Sequence, residues 1–63
     1  MAETVYTIFK NDHIIGVARE FSIAADMCIW DNEKYIELVR GDDGDWHSYE
    51  GVSKYRIIAF PLS

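Results

Sequence analysis

Sixty-three residues with one cysteine, Cys28, make a single small domain (1–63) that no internal disulfide can staple. Its stability must come from apolar packing or from association. Eleven acids against six bases give a net charge of −5, and the bases Lys10, Arg19, Lys34, Arg40, Lys54 and Arg56 stand singly, so direct nucleic-acid binding is not expected.

No apolar run approaches the roughly 20 residues of a membrane span. The start "MAETVYTIFK" has no basic segment leading into a long apolar stretch, so neither a signal peptide nor a membrane anchor is expected, and a cytoplasmic setting follows. With 49% hydrophobic and 14% aromatic residues, a chain this short carries more apolar surface than it can hide in one core.

In chain order, "TVYTIFK" and "HIIGVARE" are two β-rich runs joined by Asn11-Asp12, residues that tolerate left-handed turns. A two-residue turn there predicts pairs Tyr6–Val17, Ile8–Ile15 and Lys10–His13 on one face. On the other it predicts Val5–Ala18, Thr7–Gly16 and Phe9–Ile14. Tyr6, Ile8, Ile15 and Val17 form the better core face, leaving Val5, Phe9 and Ile14 on a second face that is not polar.

Ser22 is the candidate N-cap of a three-turn helix, "SIAADMCIWDN". Ile23, Met27 and Trp30 form one stripe of it, with Trp30 assigned to the core. Ala24 and Cys28 lie beside that stripe, and Ala25 and Ile29 fill another side. A helix apolar nearly all round is covered on more than one side, which points to a partner.

"KYIELVR" is read as a strand, with a helix extended through "DNEK" as the alternative, "GDDGDW" as a turn with Gly41 or Gly44 at positive φ, and "WHSYE" as a short partner strand. "KYRIIAFPL" sets Tyr55, Ile57 and Ala59 against Arg56, Ile58 and Phe60, both faces apolar enough for a central position. The expected fold is α+β: a small antiparallel sheet with one helix packed across it, order ββαββ, or ββαβββ if 46–50 forms a strand of its own.

Several residue groups of kinds that carry chemistry in other proteins fail here on spacing. "GDDGDWHSYEG" fails the calcium-loop register, because from Asp43 the fifth and sixth positions are His47 and Ser48. His13, His47 and Cys28 come from separate elements with no metal-ligand spacing. Ser48 and His47 are strand neighbours pointing to opposite faces, and no nucleophile elbow or phosphate loop exists. No metal, no cofactor and no enzymatic activity are expected.

What remains is binding. Val5, Phe9 and Ile14 on the spare sheet face, Trp46 and Tyr49 as aromatic anchors, and Asp42, Asp43 and Asp45 in the acidic turn are the candidate partner-binding residues. The expectation is a protein-binding regulator or inhibitor that docks on a larger protein and homodimerises through its spare apolar surface. The alternative is an acidic nucleic-acid mimic that blocks a DNA- or RNA-binding protein.

Overall fold

The computed structural model describes residues 3–48 and 53–62. Five antiparallel strands form one sheet: β1 (Thr4–Lys10), β2 (His13–Ala18), β3 (Leu38–Arg40), β4 (Trp46–Ser48) and β5 (Tyr55–Pro61), with one helix, α1 (Phe21–Asn32), between β2 and β3. The spatial order is β2-β1-β5-β4-β3. The fold is therefore α+β in the five-strand version, with "WHS" as a short strand in its own right and β5 near the centre of the sheet, as its two apolar faces require.

The hairpin turn is as the residue types demand. Asn11 and Asp12 both sit at positive φ, 50° and 69°, the conformation that matches the right-handed twist of the flanking strands. The turn is also pinned sideways: the Asn11 N–H donates to the Lys54 carbonyl (2.8 Å) and Asn11 Oδ1 accepts from the Lys54 N–H (2.9 Å).

Beyond the turn the register departs from expectation. Lys10 pairs with His13 and Phe9 with Ile14, but Ile8 then opposes Gly16, Thr7 opposes Val17 and Tyr6 opposes Ala18. Ile15 is the extra residue of a β-bulge, and one inserted residue exchanges the faces of everything after it. Gly16 and Ala18 turn to the helix side, while Ile15 and Val17, expected in the core, face outward and are exposed. The Gly16 backbone then faces the helix, and a Cβ there would lie 2.5 Å from Met27 Cε, so the end of the Met27 side chain fills the space the glycine leaves.

The helix itself begins at Phe21, not after Ser22. Glu20 is extended (φ −127°, ψ 144°) and its carbonyl accepts the Ala24 N–H at 3.1 Å. Glu33, in the left-handed conformation, ends the helix by donating its N–H to the Ile29 and Trp30 carbonyls. Its buried residues are Ala24 and Cys28. Small side chains on that line let the backbone lie close to the sheet, and the larger Ile23 and Trp30 are pushed to the flanks. Trp30, assigned to the core from the sequence, is 70% exposed.

The core lies between helix and sheet and is centred on Ile8, Cys28, Tyr55 and Ile57, all fully buried, with Ala18, Ala24 and Ile36 around them. It is closed at one end by polar atoms. The Tyr55 hydroxyl donates to Asp31 Oδ2 at 2.5 Å, Lys10 Nζ lies 2.8 Å from the same oxygen, and Ser48 Oγ accepts the Tyr55 N–H at 2.9 Å. Each polar group entering the core thus has a partner, as burial requires.

Candidate functional site

One helix covers one face of the sheet; the other face is uncovered among the described residues. Pairing fixes its membership. Thr7 stands between Val17 and Ile58, Phe9 between Ile14 and Arg56, and Val5 opposite Phe60. Val5, Phe9 and Ile14 therefore do share this face, and Ile15, Val17, Ile58 and Phe60 join them. Ile14 is 64% exposed and Val17 56%, with Ile15 and Phe60 exposed as well. In water such contiguous apolar area is unusual unless something covers it. The signal for Ile15 and Val17 was Gly16, a glycine inside a strand run, which commonly marks a bulge, and Ile58 and Phe60 follow from the alternation of β5.

Along one border of the apolar block runs an ionic cluster. Arg56 donates to Asp45 Oδ2 from Nε (3.1 Å) and Nη2 (2.6 Å), and Nη2 lies 3.8 Å from Asp43. His47 Nε2 is 3.1–3.2 Å from both Asp43 oxygens. Asp43 Oδ1 also accepts the Asp45 N–H, and Gly44, at φ 85°, lets the turn close on itself. Residues 43, 45 and 47 alternate, so their side chains gather on one side.

The donor atoms of Asp43, Asp45 and His47 lie within 4.8 Å of one another, a distance that could suit a cation. The guanidinium of Arg56 already supplies positive charge to both carboxylates, and a metal would have to displace it. The same pairing reduces the charge this turn offers to a basic groove, which leaves Asp42 as its exposed acid outside the cluster.

Trp46 answers to a different part of the molecule. It lies on the helix side, half-buried, with its ring 4.5 Å from that of Phe21 and 6.3 Å from that of Tyr6. The Arg40 guanidinium stacks over its outer face at 5.2 Å. Trp46 caps the open end of the core and is not part of the face formed by Val5, Phe9 and Ile14. Tyr49 lies outside the described residues.

No family model matches the chain, and neither a curated protein nor a solved structure matches it. Its chemistry must be read from its own atoms. Burial, followed by the nearby Asp31 carboxylate, pushes the Cys28 thiol up to about 11, so it is protonated at neutral pH and is no nucleophile. No helix among the described residues is long and apolar enough to cross a membrane.

Two carboxylates make stability pH-dependent. Hydrogen bonds from Lys10 and then Tyr55 hold the Asp31 carboxyl below its ordinary 3.8, and the Asp45 N–H followed by His47 does the same for Asp43. A lowered folded pKa means that the unfolded chain binds protons first as pH falls. The stabilisation is complete above the unfolded value and is lost as pH drops through the folded one. Thermal melts should be level from neutral pH down to about 4 and then fall. Asp31→Asn should lower the plateau and flatten part of the acid limb; an unchanged acid limb would show that Asp31 is not so held.

Proposed function

We propose that the chain is a non-enzymatic docking module, a regulator or inhibitor that binds another protein through the uncovered face of its sheet. The observation that carries this reading is the contiguous block Val5, Phe9, Ile14, Ile15, Val17, Ile58 and Phe60, free of charge and bordered by a self-neutralised ionic cluster. An apolar centre with a polar rim is the anatomy of a protein interface. The buried, protonated Cys28 and the placement of Ser48 as a backbone acceptor in the core favour binding over nucleophilic catalysis.

The test is comparative capture from the native host, using the wild-type chain and Ile14→Asp. Ile14 is exposed at the hairpin end, so its replacement leaves the core intact. Proteins retained by the wild type should be lost by the variant, should persist in high salt, and should re-form a binary complex when purified. Equal retention by both chains would overturn this face as the docking surface. Retention that collapses with salt would instead favour the nucleic-acid mimic, which acts through charge.

A further inference from the structure

We infer that the uncovered sheet face packs against a second copy of this chain, face to face about a two-fold axis, so that two five-stranded sheets line the inside of a sandwich with one helix on each outer side. This rests on the docking reading above and names the resting occupant of the same face, which an unlike protein would have to displace.

Charge favours a copy of the same chain on this face. Two chains of net charge −5 repel each other, but the acids at the border of this face, Asp43 and Asp45, are paired with His47 and Arg56. Asp26, Asp31 and Glu33 belong to the helix and its cap, and Asp12 and Asp42 to turns, whereas the apolar block of the sheet holds no charged side chain. Sheets in a sandwich sit about 10 Å apart. With a helix beyond each, the helix acids of the two copies are separated by several Debye lengths of about 8 Å. A basic partner, by contrast, would be drawn to the acids and not to this face.

Area agrees. The exposed parts of Ile14, Ile15, Val17 and Phe60 leave on the order of 400 Å² open, within the roughly 300–600 Å² that marks the largest and often functional patch of a monomer. Val5, Phe9 and Ile58, partly exposed on the same face, extend it to roughly 600 Å² at most, the small end of specific interfaces.

Topology removes the competing way of pairing two copies. Growth of the sheet through its edges needs a long, regular edge strand. The β2 edge is bulged at Ile15 and the β3 edge is three residues long, both features that obstruct strand addition. The face remains. A two-fold pairing also asks only for a surface complementary to itself, and an uncharged apolar block sets no like charges against each other when it meets its own copy.

Sedimentation of the wild type from low micromolar to near-millimolar concentration, beside Val17→Asp on the sheet face and Ile23→Asp on the helix flank, tests this. The wild type and Ile23→Asp should run at twice 7.3 kDa. Val17→Asp should weaken the dimer at least a hundredfold while keeping its circular dichroism and cooperative melt. Should Val17→Asp fail to fold, Ile14→Lys at the exposed hairpin end gives the same comparison. A wild type that stays monomeric throughout overturns the second copy as occupant and leaves docking on an unlike protein to the capture experiment. A dimer broken by Ile23→Asp and not by Val17→Asp overturns the sheet face as the self-association surface.

Discussion

Ile57→Ala should cost about 2–5 kcal/mol and, in a domain of this length with roughly 3–9 kcal/mol in hand, should bring the chain close to unfolding at room temperature. Ile57 is fully buried on the central strand, opposite Ile8 on β1 and Trp46 on β4. Its side chain touches the middle of the single core, so the cavity left by truncation has no second layer to collapse into it. Urea titration at one fixed protein concentration measures the loss, since a dimer would make the midpoint depend on concentration. A loss below about 1 kcal/mol would place the centre of the core elsewhere. Outward-facing Ile58 on the same strand is the control: its truncation should cost less in a monomer and should act through whatever covers the face.

Which parts of this arrangement a reader of the sequence can recover follows from how local their causes are. The Asn11-Asp12 turn, the bounds of β1 and the central place of β5 were legible because each depends on residue types within a few positions. The end of the helix was legible for the same reason. The faces of β2 were not: alternation assumes one residue per step, and the bulge at Ile15 breaks that count in favour of seating Met27 over Gly16. Nor was the buried side of the helix, because a helix that is apolar all round has no preferred direction until the sheet selects one. Here Ala24 and Cys28 win over Ile23 and Trp30 because they allow the closer approach. β3 is shorter than its β-branched run suggested, starting at Leu38.

The candidate site divides along the same line. Phe9 and Ile14 were identifiable as surplus because their pair precedes the bulge, and Val5 because β1 itself alternates without interruption. Ile15 and Val17 could be assigned to that face only through the bulge. The ionic cluster was hidden because its cation, Arg56, lies on β5, eleven residues from Asp45 in sequence and brought to it by the β4–β5 pairing. The alternation of Asp43, Asp45 and His47 was available as a hint that they share a side.

Trp46→Ala should destabilise the fold by roughly 2–3 kcal/mol, below the 3–5 kcal/mol of a fully buried aromatic because one side of the ring remains wet. The ring rests on Phe21 at the start of the helix and on Tyr6 of β1, so it ties the short strand β4 to both layers. Aromatic pairs in tilted and edge geometries contribute beyond their buried area. Removing Trp46 also strips Arg40 of its stacking surface, leaving the outer strand β3 joined to the sheet through three residue pairs. The discriminating comparison is with binding. A residue that only caps the core should change the melting temperature while leaving self-association through the opposite face intact at temperatures where the variant is folded. An interface anchor would do the reverse, losing association with little change in stability. Conserving the ring in Trp46→Phe should restore most of the stability, and failure of that rescue would mean that the indole makes a contact beyond packing.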